Sequence, residues 1–366
     1  MLNEIFECLP SVYAVGKEYQ IFVPVKVPCL MWVRVGEECF YDHSNGILRS
    51  DVTTHKISIP IKVLDKAREY TVCARRMIER KPYFPEVSDV MEYTSPFRPV
   101  PENRPIHIYH LADAHNRVED PVAAGRYFGD DLDLLVLNGD IPNHAGDVVY
   151  FSAIHKIASE ITKGQIPVVF SRGNHDTRGF AAEKLEEYTP TDNGRSYFTF
   201  RLGSLWGIVL DCGEDKPDSH EEYGHTTCFE AFRKEETAFL HRVVQNAKEE
   251  YLAEGVRYRL VICHIPFSFT PRPPFNIETD IYTEWCRLLR EEICADLMLS
   301  GHHHKCYLSE VGSSYDHKGQ PCPLVVASHF EEGKFVGGAI TLDGDTCHIA
   351  FTGNHKEVEE EYTISL

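Results

Sequence analysis

Short apolar and alternating runs, separated by turn-forming residues such as 42–46, fill the first hundred residues. Their β-branched content and the lack of a helical period are typical of β-strands. Pro24 and Pro60 lie inside two of the runs and indicate edge positions or bulges. We therefore predict an N-terminal antiparallel β-sandwich, fibronectin III-like, over residues 1–98. Its candidate strands are Tyr19–Val27, Cys29–Val35, His55–Val63 and Glu69–Arg75.

The pattern of apolar and polar residues changes after residues 95–105. This segment contains four prolines, and we interpret it as a stiff connector between two domains. Buried strands then alternate with helical stretches, which predicts an α/β domain over residues 99–366 with helices on both faces of its sheet. A hairpin is predicted at Asp343-Gly344. The predicted strands are Ile106–Ala112, Leu132–Leu137, Ile166–Phe170, Leu205–Leu210, Arg259–Cys263 and Ala295–Leu299, and the helical stretches are 146–163, 179–187, 229–253 and 280–293.

In the stretch 229–253, the spacing places Phe232, Phe239, Val243 and Val244 on one helix face, with charged residues opposite. We expect that face to pack on the sheet.

Composition is that of an ordinary globular protein: 43% of the 366 residues are hydrophobic and 25% are charged. The formal net charge of −19 makes a nucleic acid unlikely as the main partner, because binding its phosphates requires a basic surface. A small phosphorylated substrate remains compatible with this charge, since metal ions and a few arginines can make one cleft positive. The sequence leaves the oligomeric state open.

The N-terminal segment Met1–Cys8 carries acidic residues and lacks the basic and apolar regions of a secretory signal. No run approaches the roughly 18 apolar residues of a membrane span. The twelve cysteines are dispersed and form no C-x-x-C pair, which favours free thiols in a reducing compartment. We therefore expect a cytoplasmic protein without a membrane partner.

Polar side chains of metal-binding type follow five of the predicted strands. Because strand ends in open α/β sheets line the ligand crevice, we expect these segments to converge. Each segment alone is a weak signal: a lone His264 would usually be a core histidine, and Gly139-Asp140 is a common turn. The five segments are Asp113-Ala-His115, Asn138-Gly-Asp140, Arg172–Asp176, His264 and Gly301–His304.

Carboxylate, imidazole and amide oxygen ligands suit Mn, Fe or Zn better than soft, thiolate-seeking metals. Seven candidate ligands are too many for one ion, so the sequence predicts two divalent metal ions that share a bridging carboxylate.

In this order, D-x-H, G-D, G-N-H-D, V-x-x-H and G-H-x-H, the motifs resemble those of the calcineurin-like metallophosphoesterase family over residues 106–304. The resemblance implies a four-layer α/β/β/α sandwich and hydrolysis of phosphomonoesters or phosphodiesters through a metal-bridging hydroxide. It also implies that Asp140 bridges the two metals. One metal would be bound by Asp113, His115, Asp140 and His304, and the other by Asp140, Asn174, His264 and His302.

The same resemblance gives His175 the role of donating a proton to the leaving oxygen or of stabilising charge on it. Asp176 would orient that imidazole or hold the loop, with the loop role favoured. Arg178 would form a bidentate fork on phosphate or face solvent as a helix-start residue. His144 and His303 are weaker candidates for a substrate contact, and the polar segment 213–225 is a candidate lid.

A β-sandwich before such a domain is also similar to the architecture of purple acid phosphatases. Two positions differ: the first motif ends in His115, and Asn143 replaces the tyrosine that binds ferric iron in those enzymes. We therefore expect a colourless relative of similar architecture. Alternatives are a catalytically inactive scaffold of the same fold, and a carbohydrate- or protein-binding module formed by residues 1–98.

Overall fold

The computed structural model describes residues 4–366. The expectation about the N-terminal segment Met1–Cys8 falls partly on the first three residues, which lie outside the described residues. The strands are β1 (Ser11–Val15), β2 (Glu18–Pro24), β3 (Cys29–Val35), β4 (Glu38–Tyr41), β5 (His43–Ser44), β6 (Ile47–Leu48), β7 (Thr54–Pro60), β8 (Glu69–Glu79), β9 (Glu86–Val87), β10 (Met91–Pro96), β11 (Ile106–Leu111), β12 (Leu134–Asn138), β13 (Pro167–Ser171), β14 (Phe198–Leu202), β15 (Leu205–Leu210), β16 (Tyr258–Cys263), β17 (Leu297–Ser300), β18 (Cys306–Ser309), β19 (Leu324–Ala327), β20 (His329–Glu331), β21 (Lys334–Asp343), β22 (Thr346–Gly353) and β23 (Val358–Ser365).

Among residues 4–366 the α-helices are fewer than the strands. A π-helical segment, Leu288–Ile293, continues the last of them. The α-helices are α1 (Ile61–Ala67), α2 (Glu119–Gly125), α3 (Ser152–Thr162), α4 (Leu185–Tyr188), α5 (Phe229–Gln245) and α6 (Thr279–Arg287).

Two large sheets face each other across a shared apolar layer. One has the strand order β23-β22-β21-β11-β12-β13-β1-β2-β7, with β20 paired to β21, and the other has the order β14-β15-β16-β17-β19-β18. Side chains such as Val136, Ile262 and Leu299 fill the layer between them. Helix α3 covers the outer face of the first sheet, and α5 and α6 cover that of the second. The predicted four-layer α/β/β/α arrangement is therefore confirmed.

The N-terminal region is mostly β-structure, as the alternating runs predict. Its strands β10, β8, β3 and β4 form a separate antiparallel sheet, whose side chains Met31 and Val33 pack in the same core as Ile57 and Ile59 of β7. Strand β1 pairs in parallel with β13, so β1, β2 and β7 extend the large sheet of the second half. The division into domains 1–98 and 99–366 stays a prediction.

Several boundaries differ from the predicted ones. The run His55–Val63 ends as a strand at Pro60, the last residue of the edge strand β7, and continues as helix α1. The stretch 229–253 is helical only to Gln245, and its buried face includes Arg233 and Glu236 beside Leu240 and Val243. These charged residues are buried because they bind backbone at the end of β15: Arg233 Nε donates to Cys212 O (2.9 Å), and Glu236 Oε1 accepts the Asp211 N–H (2.7 Å).

The strand directions place the candidate ligands at one edge. Strands β11, β12 and β13 are parallel in the first sheet, and β15, β16, β17 and β19 are parallel in the second. Their carboxyl ends open on the same side, where the polar segments follow. The predicted hairpin joins β21 and β22 at Gly344. Among residues 4–366, no helix has the length and apolar character required to cross a bilayer.

Candidate metal centre

The predicted ligands stand directly after the strands, in backbone conformations that are uncommon for residues other than glycine. Asp113, His115, Asp140, His302 and His304 have φ values of 57°, 47°, 53°, 69° and 50°. Such left-handed conformations are strained for side-chain-bearing residues and concentrate at functional sites. Here these turns direct the side chains that follow several different strands into one crevice.

Close backbone packing at the crevice requires glycine at two of the strand ends. Gly139 has a φ of 79°, and a Cβ there would lie 2.7 Å from the Cα of Gly173. A Cβ on Gly301 would lie 2.7 Å from Asp113 Oδ2. Neither distance is tolerated by a real side chain, so these glycines let the ligand-bearing turns approach one another.

The first cluster contains Asp113, His115 and His304. Their ligand atoms all lie within 4.8 Å of one another. His304 Nε2 is 3.2 Å from Asp113 Oδ1 and 3.2 Å from His115 Nε2. Burial lowers the pKa of His115 to about 4, so its imidazole is neutral near pH 7, which is the form that binds metals.

The second cluster contains Asp140, His264 and His302, again within 4.8 Å. Asp140 Oδ2 lies 3.1 Å from His264 Nε2, and the amide oxygen of Asn174 lies 3.0 Å from His302 Nδ1. Asp113 Oδ1 is 3.8 Å from His264 Nε2, which joins the second cluster to the first. The structure thus brings all seven predicted ligands into one centre.

The electrostatics of the centre fit divalent cations. Burial alone lowers the pKa of His264, but the carboxylates of Asp140 and Asp113 raise it to about 10. A proton on that ring therefore offsets negative charge of these two carboxylates. Asp113 Oδ1 and His264 Nε2 are buried without a hydrogen bond, because their close contacts have unsuitable geometry. Unsatisfied buried carboxylate and imidazole atoms are the donors a divalent metal takes.

His175 lies at the rim of the centre, half-buried. Its ring Nδ1 lies 2.8 Å from Asn143 O, and its backbone N–H donates to Asp140 Oδ1 at 2.8 Å. The carbonyl can only accept, so Nδ1 carries a proton and Nε2 is the nitrogen left to face the crevice. Nε2 is 4.0 Å from Asp140 Oδ2.

Asp176 is buried and connects two ligand loops. Its Oδ2 accepts the backbone N–H groups of Gly173 (2.6 Å) and Asp140 (3.0 Å). Burial, followed by the charge of Asp140, raises the pKa of Asp176 to about 7. These contacts are those of a loop-holding residue, the role that the sequence favours.

Arg178 forms its fork with a protein carboxylate. Its Nε and Nη2 donate to Glu214 Oε1 and Oε2 at 2.7 and 2.8 Å. Its Nη1 lies 3.4 Å from His175 Nε2 and 3.3 Å from Glu222 Oε1. The side chain is therefore partly buried in an ion pair, and a direct contact with phosphate stays a prediction.

The polar segment 213–225 borders the centre, and its action as a lid stays a prediction. Its Asp215 Oδ2 lies 3.7 Å from His302 Nε2. The segment is fastened by Arg233, whose Nη2 donates to Glu214 O (2.8 Å), and by Asp218, which accepts the N–H groups of Phe229 and Glu230 at the start of α5.

Sequence reasoning missed two groups beside the first cluster. The Ser328 hydroxyl donates to Asp113 Oδ2, which also accepts the His302 N–H (2.8 Å). The ring of Phe330 lies against the His115 and His304 imidazoles, at centroid distances of 5.4 and 4.8 Å. Both follow strand β19, so the strand-end rule that identified the ligands would have found them.

The two weaker candidates for a substrate contact, His144 and His303, have different surroundings. His144 accepts the Gly146 N–H and packs against Tyr150, a local loop arrangement. His303 lies beside the centre, with Nδ1 2.8 Å from the Tyr307 hydroxyl.

The family model described as calcineurin-like phosphoesterase matches residues 106–306, more than half of the chain. The chain belongs to this family. Metal-dependent hydrolysis of phosphate esters is the chemistry that the membership supports. No curated protein matches the sequence.

Two solved structures share the fold of this calcineurin-like phosphoesterase over nearly its whole length. The purple acid phosphatase PPD1 from yellow lupin (Lupinus luteus) seeds aligns with a TM-score of 0.62 at 13% identity, covering 97% of this chain and 74% of that one. A structure of PhoD aligns with a TM-score of 0.61 at 10% identity, covering 99% of this chain and 90% of that one. The alignments therefore include the N-terminal β-region as well as the family domain.

Proposed function

We propose that this protein hydrolyses phosphate esters, mono- or diesters of small molecules, at a centre of two divalent cations. The observation that carries the proposal is the adjacency of two ligand clusters, Asp113/His115/His304 and Asp140/His264/His302, with Nε2 of His175 at their rim, 4.0 Å from Asp140 Oδ2 and 3.4 Å from Arg178 Nη1. Asp140 is the proposed bridging ligand, and Asn174 would add its amide oxygen to the second cluster. Mn, Fe and Zn all suit these donors.

Cations bound there would supply an acidified water molecule and positive charge for the phosphoryl oxygens. The protein's own residues hold the ligands in place and supply the proton for the leaving group. Asp176 holds the Gly173 and Asp140 turns together, so the two clusters keep their spacing.

His175 is the proposed general acid. In hydrolysis a water oxygen bonds to phosphorus, the ester P–O bond breaks, and the leaving oxygen takes a proton. As an acid the ring carries a proton on both nitrogens: Nδ1 keeps its contact with Asn143 O, and Nε2, which lies 3.4 Å from Arg178 Nη1, passes its proton to the leaving oxygen. The proton lost to the leaving group is then replaced from solvent, because the ring is partly exposed.

The test is metal analysis combined with substrate comparison. The purified protein is chelated, reloaded with Mn, Fe, Zn or Ca, and assayed with an aryl monophosphate and a bis-aryl phosphodiester. We expect about two transition-metal equivalents per chain and hydrolysis of at least one ester. Metal binding without hydrolysis of either ester would favour the inactive-scaffold alternative, and the absence of metal binding would contradict the centre itself.

A further inference from the structure

An apolar cavity of about 220 Å³ opens directly beside the second cluster. His302 and Asp215 line both the cavity and the metal centre. An ester whose phosphate lies at the centre therefore has this cavity within reach of its organic group. Most of the wall is apolar: Pro266, Phe267, Phe269, Phe275, Ile277 and Tyr282.

The charged groups at the wall already have partners in the protein, and the buried Tyr282 hydroxyl is a polar atom of the wall without one. Lys318 Nζ donates to Phe269 O (2.7 Å) and Thr270 Oγ1 (2.8 Å). Asp215 accepts from the Tyr223 hydroxyl (3.0 Å) and lies 3.2 Å from Lys216 Nζ. A sugar or other polyhydroxylated group would find few free hydrogen-bond partners here, whereas an apolar group would displace poorly held water.

The charges around the cavity are nearly balanced. The Asp215 carboxylate lines the cavity and lies 3.7 Å from His302 Nε2, and Lys216 Nζ lies 3.2 Å from that carboxylate. The Lys318 ammonium, also in the wall, is held by Phe269 O and Thr270 Oγ1. The wall therefore offers no large excess of charge to a strongly charged organic group.

The size of the cavity limits its occupant. Pockets for drug-sized ligands occupy about 300–1,000 Å³, so 220 Å³ suits a group of one ring. The aromatic rings of Phe267 and Phe269 line it, with His303 packed edge-on against Phe269 at 5.4 Å. Such walls favour an aromatic ring through stacked or edge-to-face contacts.

We propose that this cavity binds the organic group of the substrate, and that the substrate is a phosphate ester carrying a single aromatic ring or an apolar group of similar size. This inference rests on the proposed hydrolytic function, since it places the phosphate at the metal centre.

The experiment compares two non-hydrolysable phosphonates by calorimetry on the Mn-loaded protein: 2-phenylethylphosphonate and ethylphosphonate. They share the phosphonate group and differ by the ring. We expect the phenyl compound to bind about tenfold tighter or more, the effect of burying one ring. The corresponding phosphates, whose leaving alcohols are similarly acidic, are then compared for kcat/KM.

Phe269→Ala removes one wall and should bring the binding ratio to about threefold or less. Phe275→Ala, at an exposed position (38%), provides a second variant outside the buried core. Phe84→Ala is the matched control, because Phe84 is 89% exposed in the N-terminal region, and it should keep the wild-type ratio.

Equal binding of the two phosphonates by the wild-type protein would overturn the inference, as would a ratio that neither cavity variant lowers. Hydrolysis of both phosphates without preference would leave the proposed function standing and this inference refuted. Selective phosphonate binding without hydrolysis of either phosphate would support the cavity assignment and contradict the hydrolytic function.

Discussion

The guanidinium of Arg178 and the carboxylate of Glu214 form a two-bond ion pair at 2.7 and 2.8 Å beside the metal centre. The Glu214 side chain is 1% exposed and that of Arg178 is 25% exposed. The pair therefore fixes the segment 213–225 to the loop that carries His175.

Replacing Arg178 by alanine leaves a buried carboxylate without its main partner. We expect Arg178→Ala to lose about 3 kcal/mol of unfolding free energy, measured by urea denaturation, and Arg178→Lys to lose less because it keeps the charge but not the fork. The control is Arg34→Ala, which breaks the solvent-exposed Arg34–Glu92 pair and should cost much less. Equal losses for both alanine variants would contradict this reading of the Arg178–Glu214 pair.

Loss of His175 should slow the chemical step and leave metal binding intact. We expect His175→Ala to lower kcat about 100-fold for an alkyl phosphate. The loss should be smaller for 4-nitrophenyl phosphate, whose leaving group needs no proton. Elemental analysis should show unchanged metal content. His144→Ala changes a nearby histidine that only contacts its own loop, and it should match the wild-type protein. A uniform loss for both leaving groups would contradict general-acid catalysis by His175.

Metal binding should stabilise the fold through Asp140. At free Mn²⁺ of about 100 times Kd, linkage predicts about 2.7 kcal/mol of added stability, seen as a rise in Tm that a chelator reverses. Asp140→Asn should abolish most of this Mn²⁺-dependent rise. Asp147→Asn alters an exposed carboxylate that caps a neighbouring turn, and the rise should persist there. A full Mn²⁺ response in Asp140→Asn would exclude Asp140 as a bridging ligand.

His155 gives the fold an acid-sensitive element remote from the centre. It is 1% exposed, Nε2 lies 2.8 Å from Tyr188 O, and burial lowers its pKa from 6.5 to about 4. The folded state thus resists protonation that the unfolded chain accepts. The contribution of the neutral His155 ring to the unfolding free energy is fully present above pH 6.5. It is lost as pH falls from there towards 4.

Between pH 7 and 5 the wild-type protein should lose about 2 kcal/mol more unfolding free energy than His155→Gln. Urea denaturation at the two pH values measures this difference. His241→Gln replaces an exposed histidine and should retain the wild-type pH dependence. An identical pH dependence for wild type and His155→Gln would rule out this assignment.

The strand-end ligands were predictable because parallel strands buried on both faces are continuous apolar runs. Each run has a clear end, and the next polar residues fall at the crevice, as Asp113, Asp140 and His264 do. The run Ser11–Val15 carries the same signal and was missed, although every residue in it is buried. Its partner β13 lies far away in sequence, and no local pattern specifies such a pairing.

Contacts between loops were not predictable from periodicity. The approach of Asp215 to His302, and the burial of Arg233 and Glu236, depend on how segment 213–225 folds over α5. Charged residues normally indicate a solvated helix face, and only tertiary hydrogen bonds reverse that expectation here.

The position of β1 in the large sheet affects how the protein is made. During synthesis β1 and β2 emerge well before β13 and can pair as a hairpin. The other edge of β1 stays unpaired until β13, about 150 residues later in the chain, has been synthesised. At ribosomal rates of roughly 5–20 residues per second, that edge stays unpaired for about ten seconds or more. The nascent chain is therefore open to aggregation during this interval, and chaperones that shield strand edges should raise its yield.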